Sequence, residues 1–304
     1  MIFCMMGIFQ SLKQFGLGGI VAGILCLAGL IIFAVWLLKT SWGRKSLADS
    51  RPRRNNMPFY LPFVPLFIWV IAGSLAIAIA AKLAGDLQQW QKAFLDNFIY
   101  FVTAIAVTVI VIILARATFA RRLKGFGLNV RTIHKDFLAA VINLLATWPL
   151  VIAALIVTMF FGKLIYGQDF AIEQHEELEL ITAYPQLPLR ILIVVLAILV
   201  APLIEEMLFR GLFQTMIRSV LEIRNPKPVL NKAEGFQTRH SAWLSILISS
   251  ALFVMVHTDI AHWPALFVLS LCLGYSYEKS GSLFRPIFIH SFFNVVTIIA
   301  VLNQ

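Results

Sequence analysis

Residues 191–210 read ILIVVLAILVAPLIEEMLFR, an apolar stretch that ends in two carboxylates and an arginine. About 20 apolar residues suffice to cross the hydrocarbon core of a bilayer. An ionisable side chain at membrane depth is costly, so it is usually buried in protein, paired with another group and functional. The stretch therefore predicts a membrane-spanning helix that carries part of a functional site at Glu205, Glu206 and Arg210.

The composition of the whole chain supports a membrane protein. Of its 304 residues, 60% are hydrophobic and 13% are charged, and the mean hydropathy is +0.86. Soluble domains typically contain about 45–50% apolar and about 25% charged residues. The three cysteines show neither metal-ligand spacing nor a disulfide framework; they are Cys4, Cys26 and Cys272. The composition predicts an all-α polytopic membrane protein.

Eight apolar segments predict about eight transmembrane helices. Nineteen of the 25 Lys and Arg residues fall in alternate connections between these segments, and the positive-inside rule places those connections in the cytoplasm. The net charge of +10 is explained by this distribution, and no nucleic-acid partner is expected. The predicted spans are 15–38, 59–81, 98–115, 137–161, 190–217, 242–257, 263–277 and 286–302.

The two glutamates have different predicted environments. Glu206 and Arg210 are four residues apart, so they share a helix face and can pair. Neighbouring helix positions point about 100° apart, given 3.6 residues per turn, which leaves Glu205 as the freer carboxylate. A carboxylate without a full partner is suited to take a proton from water. The alternative is a buried ion cluster that only holds helices together.

Later apolar segments add two histidines and an asparagine. His257 ends one segment, and His290 opens the last span with Asn294 one helical turn further on. Imidazole and amide groups can donate hydrogen bonds to a developing oxyanion. We therefore expect these three residues to converge with Glu205 on one small space, in the inner half of the membrane and open toward the cytoplasm.

The order and spacing of these residues resemble a known family. The three motifs Glu205-Glu206-x-x-x-Arg210, Phe253-x-x-x-His257 and His290-x-x-x-Asn294 are similar to the signature of the CPBP family, the CAAX-type prenyl endopeptidases and their bacterial relatives in bacteriocin processing and immunity. The stretch 273–283, LGYSYEKSGSL, is also similar. The resemblance covers about residues 190–297. It divides the chain into an N-terminal extension, 1–136, with three spans and basic cytoplasmic loops, and a protease core, 137–304.

The resemblance implies a CAAX-protease-like helical bundle in the bacterial inner membrane. In that reading Glu205 activates a water molecule with the help of His257, and His290 and Asn294 stabilise the oxyanion. Glu206 belongs to the same catalytic set, and Arg210 and Phe253 support it. The implied substrate is a membrane-associated peptide or protein, which in eukaryotic relatives carries a lipid-modified C-terminus.

Two questions stay open at this stage. The chemistry needs either no cofactor or a divalent metal, because Glu205, His257 and His290 are also ligand types for zinc. The function is that of an intramembrane endopeptidase, of a transporter that uses the buried charges, or of a non-catalytic immunity or scaffold protein.

Overall fold

The computed structural model describes residues 17–83, 85, 87–172, 176–223 and 233–302, so Cys4 lies outside the described part. Within these residues the secondary structure is helical, apart from one isolated antiparallel bridge between Asn55 and Phe119. The predicted all-α class is confirmed.

Among the described residues, eight long helices form the body of the protein. Six of them are long and apolar enough to cross a membrane, and the other two, α1 and α6, contain the shorter apolar segments Gly23–Lys39 and His240–Met255. The chain is an integral, multi-pass membrane protein, as predicted. The helices are α1 Leu17–Lys39, α2 Phe63–Lys82, α3 Gln89–Thr118, α4 Ile133–Tyr166, α5 Leu187–Glu222, α6 Ala233–Met255, α7 Trp263–Ser280 and α8 Phe284–Leu302.

Several helices extend beyond the predicted spans. Helix α3 begins at Gln89 instead of 98, because Gln88 and Gln91 form a capping box that satisfies the first backbone amides. Helix α6 begins at Ala233 instead of 242. Hydropathy marks only the apolar part of a helix, so polar first turns are missed.

Helix α5 departs from regular α-helical geometry on both sides of the two glutamates. Leu196–Val200 and Met207–Gln214 are π-helical, and the intervening α-helical segment is Ala201–Glu206. Proline has no backbone N–H to donate and disturbs the preceding turn, which is consistent with a wide turn directly before Pro202. Such π segments are frequent at functional sites.

The largest hydrophobic cluster joins α3 to α5. Ala104, Val107 and Val111 of α3 are at most 2% exposed and belong to one cluster with Ile204 and Met207 of α5. Helix α3 lies in the predicted N-terminal extension, yet it shares a core with the helix that carries the glutamates. The boundary at residue 136 therefore stays a prediction based on motif content alone.

Helices α5 and α7 run parallel and are joined by a polar ladder with a constant offset of 60 residues. Arg210 binds Ser270, Gln214 Nε2 donates to the Gly274 carbonyl at 3.1 Å, and Arg218 Nη1 lies 2.7 Å from Glu278 Oε1. Each contact lies four residues, about one helical turn, further along both helices than the previous one. The carboxylate of Glu278 is buried against Arg218.

We expect Gly211→Ala to lower the thermal stability of the protein. A Cβ at Gly211 would overlap the ring of Phe126, which is fully buried and cannot move without disturbing its neighbours. Forcing extra atoms into a packed core costs about 1–3 kcal/mol. Thermal unfolding in detergent would measure the loss. The matched control is Gly23→Ala, since a Cβ there meets nothing within 4 Å; equal stability of both variants would contradict the packing.

Candidate active site

Glu206 and Arg210 form a buried ion pair inside the helical bundle. Arg210 Nη1 donates to Glu206 Oε1 at 3.0 Å, and the two side chains are 1% and 0% exposed. Arg210 Nη2 also donates to the Ser270 hydroxyl at 2.7 Å, and the guanidinium carbon lies 4.6 Å from the centre of the Phe253 ring. The structure contains the ion pair that the four-residue spacing predicts. Glu206, Ser270 and Phe253 together hold the Arg210 guanidinium in place.

His290 of α8 lies between the two glutamates. Its Nδ1 is 3.0 Å from Glu206 Oε1, a hydrogen-bond distance. Its Nε2 is 3.9 Å from Glu205 Oε2, which is too long for a direct hydrogen bond. The two ring nitrogens of His290 thus face the two carboxylates, with Glu206 at hydrogen-bond distance and Glu205 farther away. Glu205 has no arginine partner among the described residues and keeps a side-chain exposure of 13%.

His257 lies two residues beyond the end of α6, on the connection 256–259. Its Nδ1 is 2.8 Å from the carbonyl oxygen of Phe253, and the ring centroids of the two side chains are 4.7 Å apart. If Nδ1 carries the proton and donates to this carbonyl, Nε2 presents a lone pair. Trp263 Nε1 donates to the His257 carbonyl at 2.9 Å and holds the connection in place.

Phe253 brings the two histidines together. It is fully buried, and its ring centroid lies 6.0 Å from that of His290 and 4.7 Å from that of His257. Both histidines also interact electrostatically with Glu205. The structure thus brings His257 and His290 to one aromatic ring beside the glutamates of α5.

Asn294 is on α8 one turn after His290, but its amide is engaged elsewhere. Its Nδ2 donates to the carbonyl oxygen of Ala197 at 2.7 Å. Ala197 lies in the first π segment of α5, where the backbone hydrogen-bond pattern is shifted. Asn294 therefore connects α8 to α5 by a hydrogen bond. Its second amide hydrogen remains for donation to another acceptor.

Side chains around Glu205 are buried on the side of the basic loops and partly exposed on the opposite side. All residues of the π segment Met207–Gln214, toward the basic loops, are buried. Glu205 keeps some exposure, and His257 is half-buried on the connection 256–259. The loop charges place this connection on the side opposite the basic loops. Side-chain exposure therefore gives no support to the predicted cytoplasmic opening.

Sequence reasoning misses two polar contacts near the site. His262 is fully buried, and its Nδ1 is hydrogen-bonded to Asp259 Oδ2. Asp259 also caps the short turn Ile260–His262 by accepting from Ala261 N at 2.9 Å. The Asp-x-x-His spacing could have indicated this pair. The bond between Arg210 and Ser270 had no such signal, because it joins residues 60 positions apart.

The alternative of a zinc site at Glu205, His257 and His290, which the sequence leaves open, gains no geometric support. Among the described residues, no group of three or more His, Cys, Asp or Glu side chains could hold a metal ion. Ligands of tetrahedral zinc lie about 2.0–2.1 Å from the metal, hence about 3.3 Å from each other. The separation of 3.9 Å between Glu205 Oε2 and His290 Nε2 is wider.

Comparisons with known proteins agree with the motifs. An uncharacterized 24.3 kDa protein of Escherichia coli is 26% identical over 145 residues, which is 47% of this chain and 58% of that protein. The alignment thus spans less than two thirds of the relative. No solved structure matches the chain at a significant level. Residues 187–296 match the family described as type II CAAX prenyl endopeptidase Rce1-like, which confirms the resemblance predicted from the three motifs.

Proposed function

We propose that this protein is an intramembrane endopeptidase in which Glu205 is the general base. The observation that carries the proposal is the position of His290 between two glutamates, only one of which is held by arginine. The match to a CAAX-type peptidase family over residues 187–296 supports the reaction class. Peptide hydrolysis needs a base, oxyanion donors and a water molecule at one place.

The ion pairs at the site favour this assignment. Glu206 is paired with Arg210. Glu205 forms no ion pair with an arginine among the described residues, and its Oε2 lies 3.9 Å from His290 Nε2. Glu205 is therefore the carboxylate that the proposed reaction can use as a proton acceptor, and the reaction also requires a hydrogen on His290 Nε2 that can be donated.

The proposed reaction begins with a water molecule near Glu205 and His257. Glu205 takes a proton from the water, and the water oxygen forms a bond to the carbonyl carbon of the substrate. The carbonyl oxygen becomes an oxyanion, to which His290 Nε2–H and an amide hydrogen of Asn294 donate. When the C–N bond breaks, the proton on Glu205 passes to the leaving amine. His257 Nε2 accepts a hydrogen bond from the water and orients it.

The substrate of the proposed peptidase is a membrane-associated peptide or protein. The matched family is named for prenyl endopeptidases, so a lipid-modified C-terminal segment is the substrate class to test first. The direct experiment uses the purified protein in lipid nanodiscs and peptides with and without an isoprenyl group, and mass spectrometry identifies the two products. The Glu205→Gln variant serves as the inactive reference.

We expect cleavage to survive exhaustive chelation. The described residues form no three-ligand metal group, and the proposed route uses only Glu205, His257, His290 and Asn294. The measurement is the cleavage rate after prolonged dialysis against a strong chelator, with the metal content determined by mass analysis. A rate that disappears on dialysis and returns in proportion to added zinc would assign the reaction to a metal site instead.

A further inference from the structure

A cavity of about 450 Å³ lies away from Glu205 and Glu206, at the end of the bundle that carries the basic loops. It is formed by the loop between α1 and α2 and by the residues that follow α3. By the positive-inside rule this end faces the cytoplasm. Its charged lining residues are Arg51, Arg53, Arg54, Arg121, Lys124 and Glu278.

The positive charge of the cavity is largely uncompensated. The one lining carboxylate, Glu278, is paired with Arg218 at 2.7 Å and hydrogen-bonded to Ser50. Arg53 lies 4.0 Å from the same carboxylate and stacks over the ring of Tyr277 at 3.6 Å. Among the described residues, no carboxylate lies within ion-pair distance of the other four basic side chains, which are exposed; they are Arg51, Arg54, Arg121 and Lys124.

The backbone holds the two basic segments side by side. Ala120 N donates to the Arg54 carbonyl at 3.1 Å, and Asn56 N donates to the Thr118 carbonyl at 3.0 Å. These bonds flank the isolated bridge between Asn55 and Phe119. Arg54 and Arg121 therefore extend from adjacent, paired segments and not from independent loops. Like charges held together in this way favour an anion that neutralises them.

We propose that this cavity binds a phosphate group, supplied by the headgroup of an anionic phospholipid in the leaflet on the side of the basic loops. Guanidinium groups bind phosphate oxygens through paired hydrogen bonds. Anionic lipids of the cytoplasmic leaflet attract basic residues next to the membrane. The same loop leads directly into Phe59 and Tyr60, which are 68% and 56% exposed and offer apolar surface for an acyl chain. The site is separate from the proposed peptidase centre.

The test measures lipid retained by the purified full-length protein. Protein is exchanged into nanodiscs of phosphatidylcholine with or without phosphatidylglycerol, and bound lipid is counted by native mass spectrometry after release. We expect selective retention of phosphatidylglycerol by the wild type. The double variant Arg54→Gln/Arg121→Gln should lose affinity about tenfold or more, since each basic residue near an anionic surface contributes about fivefold.

The matched control removes the same charge outside the cavity. Arg131→Gln/Lys135→Gln changes two exposed basic residues on the same side of the protein and should alter affinity less than about twofold. An equal loss in both double variants, or equal retention of both lipids by the wild type, would overturn the proposal. Unchanged thermal unfolding of Arg54→Gln/Arg121→Gln excludes misfolding as the cause of its loss.

A soluble competitor tests whether the phosphate group alone is recognised. If glycerol phosphate displaces the lipid, the phosphate group alone accounts for recognition. If it fails to compete while phosphatidylglycerol still binds, the acyl chains contribute to the site. In either case the loss of lipid must be confined to Arg54→Gln/Arg121→Gln for the cavity to be the site.

Discussion

Replacing Glu205 with glutamine should lower peptide cleavage about 10²–10⁴-fold while the protein stays folded. Glutamine keeps the size of the side chain but cannot accept the proton of the attacking water. The fold should tolerate the change, because no arginine or backbone amide among the described residues pairs with Glu205, and its distance from His290 Nε2 is 3.9 Å. The measurement is the cleavage rate of purified wild type and variant at equal concentration.

The matched control is Glu179→Gln, which changes an exposed glutamate on the short helix Glu176–Ala183. It should keep full activity, since its side chain is exposed and lies outside the helices that carry the motif residues. A Glu205→Gln variant with more than about a tenth of the wild-type rate would refute the base assignment. If wild-type cleavage is absent and Glu205→Gln leaves the biological role unchanged, the immunity or scaffold alternative is favoured.

Replacing Arg210 with alanine should destabilise the protein as well as inactivate it. Arg210 is fully buried and binds Glu206, Ser270 and the face of Phe253. Removing one partner of a buried ion pair costs about 3–5 kcal/mol, because the other charge is left without compensation. Expression level and thermal unfolding in detergent measure this loss. The control Arg116→Ala, on the exposed side of α3, should unfold normally.

A second variant separates the unpaired charge from the lost packing. Glu206→Gln/Arg210→Met removes both charges and keeps much of the volume, so it should be more stable than Arg210→Met alone. It should still be inactive, because His290 would lose its carboxylate partner. Normal stability of Arg210→Ala would show that the pair contributes little to the fold.

The sequence predicts the order of the apolar helices better than their ends. Each crossing needs about 20 apolar residues, and this requirement is visible without any tertiary information. The ends depend on local capping and on contacts outside the bilayer. Helix α3 begins directly after its cap at Gln88, and α6 begins with polar residues that precede its apolar segment. Both helices therefore start before the predicted spans, which begin at 98 and 242.

The contacts of the candidate site that depend on local spacing along one helix were predictable. Glu206 and Arg210 are one helical turn apart, and the structure pairs them. The contacts that depend on tertiary packing were not predictable. Nothing in the sequence indicates that Ser270 faces Arg210 or that Asn294 binds the carbonyl of Ala197. The second contact involves a π segment, whose shifted hydrogen bonds leave no clear mark in residue type.

The constant offset of the α5–α7 ladder bears on how the protein responds to bilayers of different thickness. Three successive rungs, at Arg210, Gln214 and Arg218, prevent the two parallel helices from sliding past each other. A mismatch between protein and lipid must then be met by tilting the whole bundle or by deforming the lipid. The carboxylates stay about 18 Å from the Arg218–Glu278 pair, given 1.5 Å per helical residue. The depth at which the site lies is set within the protein, and lipid thickness changes only how a substrate segment is presented to it.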